Sequence, residues 1–366
     1  MRRRSTRLVP AHFAFPHLPF LVLAVGLLVV GTGQLFAQEP PSPDAPPVST
    51  APDTTQDDQA PAATLKVQVN LVSLYFSVRD KHNGLVSTLT REDCTVLEDK
   101  VPQKIKNWSA EADQPLTLGI LLDTSGSQQN VLPLEQTTGS AFLRRVLRSK
   151  DEAFLVSFDV DVDLLSDYTS NPNQLERAMN KAEINTAGGN GAGGVPGIGQ
   201  GPVPTSGTPK GTLLYDAVYL AANDKLRSEN GRKAMILLTD GGDQGSRKRL
   251  QDAIEAAQKA NAIIYVLLIA DRGFYGGFSL GYNGPSEMKR LAEQTGGRMI
   301  DVGNNGPKLE AAFKQIEDEL RTQYVASYTP TNIKLDGTYR KLDIDCKGDG
   351  LKVQSRKGYY AIAPSD

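Results

Sequence analysis

Leu116-Thr117-Leu118-Gly119-Ile120-Leu121-Leu122-Asp123-Thr124-Ser125-Gly126-Ser127 is the stretch from which the rest of this 366-residue chain is read. A short, nearly continuous apolar run that ends on an acid predicts a strand buried on both faces. The small polar residues after Asp123 predict a tight turn at the strand's carboxyl end. That turn offers one carboxylate, Asp123, and two hydroxyls, Ser125 and Ser127. All are hard oxygen donors, suited to Mg2+ or Mn2+ in octahedral geometry. In open α/β sheets, ligands gather beyond the carboxyl ends of the strands, where this turn would lie.

Working outward, residues 153–158, 234–240, 263–270 and 299–302 repeat the apolar run. Amphipathic segments lie among them at 140–147, 212–225, 249–260, 286–294 and 309–320. Strands separated by helices imply a Rossmann-like, doubly wound, mostly parallel sheet covered on both sides. Residues 160–168 read as an added edge strand beside 153–158. The flanks are different. Val72, Leu74, Phe76 and Val78 alternate, as do Tyr324, Ala326 and Tyr328, and then Leu342, Ile344 and Cys346. Neither flank has strands enough for a sheet of its own. The expectation is one small β-sandwich, residues 64–110 with 324–363, around an inserted α/β domain at 114–323.

Two further segments extend the metal-donor set. Gly211-Thr212-Leu213-Leu214-Tyr215-Asp216 opens a helical pattern and offers the Thr212 hydroxyl. Thr239-Asp240-Gly241 ends a buried strand and offers the Asp240 carboxylate. In this order and context the three segments resemble the metal-ion-dependent adhesion site of von Willebrand factor type A domains. The resemblance covers residues 114–323 and implies five ligands: Asp123, Ser125, Ser127, Thr212 and Asp240. It also implies that Asp240 acts through water. With so few anionic ligands the ion stays electron-poor and keeps a position for an Asp or Glu carboxylate of a partner protein. The flanks, through Val69-Asn70-Leu71-Val72, Thr90-Arg91-Glu92-Asp93, Val101-Pro102-Gln103-Lys104-Ile105 and Arg356-Lys357-Gly358-Tyr359-Tyr360-Ala361, resemble a bacterial family of exported proteins with such a domain. Cys94 stands where that family tends to have an aromatic residue.

Composition limits the chemistry. Of three histidines, His12 and His17 lie in residues 1–37, which read as a signal peptide: a basic start, an apolar stretch from Leu18 to Val30, and Ala37 before the cut. The apolar core is short of the roughly 20 residues a spanning helix needs; an uncleaved anchor is the alternative. Cleavage leaves His82 alone, beside the turn pair Asn83-Gly84, so histidine-based hydrolase and zinc sites have no material. Losing Arg2, Arg3, Arg4 and Arg7 takes the formal charge from −2 to −6. Such a balance provides no footprint for nucleic acid. Residues 38–63 are a Pro-rich linker that cannot bury a core. The expected location is periplasmic or extracellular.

Other motifs carry less. Asp159-Val160-Asp161-Val162-Asp163 opens like a calcium loop but lacks its glycine and terminal Glu, and reads as a turn and edge strand. The run 189–194 follows no strand and belongs to a disordered Gly/Pro insertion, 187–209. There is no Walker-type loop, so no nucleotide is expected. Asp243 reads as a solvated loop acid, the alternative being that it tunes the metal loop through hydrogen bonds. Phe274, Tyr275, Phe278 and Tyr282 share a Gly-rich loop at the metal face. The functional expectation is an exported, metal-dependent protein-binding module for adhesion or scaffolding, not an enzyme. The alternatives are a phosphate-ester hydrolase, for which only Asp216 and Asp243 offer a base, and a purely structural metal. Cys94 and Cys346, the only two cysteines, are expected to pair in an oxidising compartment, against the alternative of two buried thiols.

Overall fold

The N-terminal flank alternates because each strand has one face to bury. It forms β1 (Val72–Arg79), β2 (Cys94–Glu98), β3 (Val101–Gln103) and β4 (Ile105–Ala110). The next segment supplies β5 (Leu116–Asp123), α1 (Leu132–Val146), β6 (Glu152–Phe158), β7 (Val162–Thr169) and α2 (Pro172–Met179). Then come α3 (Leu214–Leu220), which runs on into a wider π turn at Ala221–Leu226, β8 (Arg232–Thr239), α4 (Leu250–Lys259), β9 (Ala262–Leu268), α5 (Gly284–Thr295), β10 (Met299–Asp301) and α6 (Gly306–Arg321). The C-terminal flank gives β11 (Tyr324–Tyr328), β12 (Tyr339–Cys346), β13 (Lys352–Ser355) and β14 (Gly358–Tyr360). This computed structural model describes residues 71–110, 114–185, 211–270 and 283–362. The expected signal segment, linker, 187–209 insertion and aromatic loop lie outside the described residues.

The central sheet runs β10-β9-β8-β5-β6-β7. All neighbours are parallel except β7, which pairs antiparallel with β6 as the edge strand. Every residue of β5, β8 and β9 is buried, as continuous apolar runs require. On one face Leu118, Ile120 and Leu122 meet Phe142 and Leu143 of α1 and Phe313 and Ile316 of α6. On the other, Leu121 and Leu237 meet Leu214, Ile254 and Leu291 of α3, α4 and α5. Burying one such side chain contributes about 1.5–3 kcal/mol.

The flanks interleave. One four-stranded sheet runs β13-β1-β11-β4 and the other β14-β12-β2-β3, so each mixes N- and C-terminal strands. Val72, Leu74, Phe76 and Val78 share a core with Tyr324, Tyr328, Leu342 and Ile344. Cys94 and Cys346 stand opposite each other in the β2–β12 register and form a disulfide. The two central strands of the first sheet, β1 and β11, are buried on both sides. Tyr75 and Val325 point away from the sandwich and enter the core that contains α1 and α6. The sandwich and the parallel-sheet module therefore share a wall.

One buried acid reinforces that wall. Glu319 of α6 pairs with Arg79 of β1 and with Arg298, whose Nε is 2.5 Å away. Gln354 of β13 also donates to it, at 3.2 Å.

Candidate metal centre

The parallel sheet fixes where loops can meet. β5 lies between β6 and β8, and the chain winds to opposite sides from it, so the carboxyl ends of β5 and β8 border the switch point of the sheet. Asp123 is the last residue of β5, and Asp240 follows the last residue of β8. Both are buried, with Asp123 fully so.

Asp123 is held by neutral donors. Ser125 donates to its Oδ1 from N at 3.0 Å and from Oγ at 2.5 Å. Thr239 Oγ1 donates to Oδ2 at 2.6 Å and accepts from Gly241 N at 3.0 Å. Ser127 Oγ lies 3.1 Å from Ser125 Oγ, so the first three predicted ligands form one connected group. Asp240 Oδ1 accepts from Gly242 N at 2.9 Å. Gly241 adopts φ +87°, and a Cβ there would meet Met288 Cγ at 2.9 Å and Gly284 of α5 at 3.2 Å. Only glycine fits so close an approach in the left-handed region.

Thr212 joins through its backbone. Its N–H donates to Gln244 O at 3.3 Å, and Gln244 N returns to Thr212 O at 2.8 Å, in the loop that begins at Asp240. Leu213 N donates to Asp159 O at 2.7 Å. The Asp159 carboxylate accepts from Thr124 Oγ1 at 2.8 Å and Asn185 Nδ2 at 3.0 Å. Asp159 thus ties the Asp123 turn to the approach of Thr212. As a calcium opening it carried nothing, and no spacing rule points to this bracing role.

Asp243 is corrected. It is half-buried and accepts from Ser246 Oγ at 2.6 Å and Tyr215 N at 3.2 Å. Burial raises its pKa from the ordinary aspartate value, against the pull of the Ser246 bond. Asp216 answers from the other side, accepting from Arg247 N at 3.0 Å and Lys248 N at 2.8 Å. The pair latches the start of α3 to the loop after Asp240. The serine three residues beyond Asp243 was the available signal.

A third acid went unread. Glu135, one turn into α1, is fully buried, and neither carboxylate oxygen has a hydrogen-bond partner. Its pKa is driven well up by burial first and then by Asp123 and Asp240. The pKa of Asp123 is pushed up to about 8, by burial and then by Asp240, against the pull of its Ser125 and Thr239 bonds.

The donor set fits a hard divalent cation. Among the described residues no three His, Cys, Asp or Glu side chains are grouped as ligands. The candidate centre is instead two carboxylates, Asp123 and Asp240, with hydroxyls from Ser125, Ser127 and Thr212. Buried acids this close need either protons or a cation to offset their desolvation and repulsion.

The strand order, the single antiparallel edge and the loop after β5 agree with a von Willebrand factor type A fold. No protein-family model and no curated protein matches the chain. Solved structures do. BatB from Bacteroides thetaiotaomicron is 16% identical, with 56% of this chain and 98% of that one covered and a TM-score of 0.38. Proximal thread matrix protein 1 of the mussel byssus, described with zinc in its MIDAS motif, is 16% identical over 61% of this chain and 50% of that one, with a TM-score of 0.44. The vWF domain of the pilus tip protein Mfa5 from Porphyromonas gingivalis is 13% identical over 56% and 94%, with a TM-score of 0.40.

Proposed function

We infer that this chain is an exported adhesion or scaffolding module in which Asp123, Ser125, Ser127, Thr212 and Asp240 hold Mg2+ or Mn2+. When bound, the metal supplies a Lewis-acidic position that takes an Asp or Glu carboxylate from a partner protein. The organisation goes with this reading: signal peptide 1–37, linker 38–63, and the module 114–323 carried on the split sandwich. The carrying observation is the fully buried Asp123 carboxylate, bonded only by neutral groups and set beside Asp240. The disulfide adds support for an oxidising compartment. Among the described residues no helix is long and apolar enough to cross a membrane.

The non-enzymatic reading has its own support. A hydrolase needs a titratable group free to move a proton at the open metal position. Asp216 spends both oxygens, and Asp243 its Oδ1, on the α3 latch.

The test is calorimetric. The parent should bind one Mg2+ or Mn2+, and Asp123→Ala should bind none while keeping its circular dichroism. Equal affinity in both overturns the ligand assignment. Capture of an envelope protein on the immobilised chain should then be lost with EDTA and with Asp123→Ala alike. Capture indifferent to both rules out a metal-bridged partner.

A further inference from the structure

A second site lies at the opposite end of the parallel sheet. Lys233 is near the start of β8, whereas Asp240 follows its end. There the shared wall and the module line an open pocket of about 320 Å³. Ser73 and Tyr75 of β1, Lys233, Lys259, Arg356 and Tyr360 are among the residues lining it. Three of its lining residues are cationic, Lys233, Lys259 and Arg356, and one is acidic, Glu229.

Two of these cations, Arg356 and Lys233, have no carboxylate within ion-pair distance among the described residues, although Glu229 attracts Lys233 from farther off. Arg356 donates one bond, from Nη2 to Ser73 O at 3.2 Å, and its buried Nε donates none. Its guanidinium lies over the Tyr359 ring, with Cζ 5.5 Å from the centroid, a cation–π contact. Lys233 is only 8% exposed, and its Nζ donates to Glu229 O at 2.8 Å, a neutral acceptor. Lys259 differs, being paired with Glu255 at 2.6 Å. Two cations at one pocket, one buried and one partly buried, repel each other and favour an anion between them. The pKa of Lys233 is pushed down to about 8 by burial, against the pull of the Glu229 carboxylate and with a smaller push from Arg356.

We propose that this pocket is an oxyanion-binding site, in which Arg356 and Lys233 take the carboxylate or phosphate group of a small ligand. Arg356 offers guanidinium N–H groups beyond the one given to Ser73 O, and an oxyanion would accept them as charge-assisted hydrogen bonds. Lys233 supplies a point charge at the other wall. The site is separate from the candidate metal centre, and the Arg356-Lys357-Gly358-Tyr359-Tyr360 segment has a binding role in addition to closing the sandwich.

The experiment is isothermal titration of the full chain with inorganic phosphate and, separately, with succinate, in a non-coordinating buffer at pH 6.5. Saturable one-to-one binding is expected for at least one of them, and the arm that saturates identifies the group preferred. Affinity should fall at least tenfold in Arg356→Gln and in Lys233→Gln, stay unchanged in Asp123→Ala, and weaken as pH rises from 7 to 9. Should Arg356→Gln fail to fold, Lys233→Gln decides. No saturation with either anion, or equal affinity in a folded Lys233→Gln, overturns the proposal. Because Asp123→Ala affects only the other end of the sheet, failure here leaves the metal reading standing, and the reverse holds too.

Discussion

Asp123 and Glu135 make the metal-free protein sensitive to pH in an uncommon direction. Well below pH 4, each acid is protonated in the folded and unfolded chain alike and contributes no pH dependence. Above that, the unfolded chain releases its protons while the folded chain retains them. The folded state then binds more protons, so stability falls as pH rises. For Asp123 the fall runs from its ordinary 3.8 up to about 8, at about 1.4 kcal/mol per pH unit for each group. Urea unfolding in EDTA should therefore give a lower midpoint at pH 7.5 than at pH 5. Saturating Mg2+ should flatten the difference, since a metal-bound carboxylate carries no proton. A midpoint that rises with pH in EDTA contradicts this account. Glu135→Met removes a buried acid whose oxygens have no partner. It should stabilise the metal-free protein by about 1–3 kcal/mol and weaken Mg2+ binding, both readable on the same samples.

Among the elements, those with a long apolar signature were legible in the sequence. β5, β6, β8, β9 and β10 fall within a residue or two of the apolar runs, because a strand in the middle of a covered sheet is apolar along most of its length. The start of α1 was not legible: its first turns, 132–139, mix Leu132 and Leu134 with Pro133, Glu135 and two threonines. α2 went unread because eight residues with three buried side chains give too little periodicity. β14 is three residues long and is a strand only because β12 is there to pair with it. Of the site, the five oxygen donors were legible as a motif. Asp159, Thr239 and the Asp216–Asp243 latch were not, since their roles exist only between loops far apart in sequence. α6 carries a test of its own. Glu319 is buried between Arg79 and Arg298, so Glu319→Ala leaves two cations without their counter-charge. The expected loss is about 3–5 kcal/mol, measured by chemical denaturation. A loss below about 1 kcal/mol would mean that the wall between sandwich and module does not depend on this cluster.

In the whole molecule, the mixed sheets make the two flanks one folding unit. β1 pairs with β11 on one side and β13 on the other, both from the C-terminal flank. A chain lacking residues 324–366 should therefore expose β1 and aggregate, with protease cutting within 72–110. A soluble truncated protein with that segment still protected would contradict the pairing. The Cys94–Cys346 bridge closes a loop of 252 residues. In the chain-entropy view its reduction costs up to about 5 kcal/mol, to be read as a lower urea midpoint in dithiothreitol. The bridge also sets how the protein bears load. Tension applied between the two ends of the chain passes from β1 to Cys94, across the sulfur atoms and out through Cys346, and bypasses the inserted module. Tension from a partner held at the metal end has no such shunt and must cross α1, α6 and the Glu319 cluster. An oxidised molecule stretched from its ends should thus release only its flanks. A reduced one should pay out the added 252 residues, on the order of 3.4 Å each, a difference that single-molecule extension measures directly.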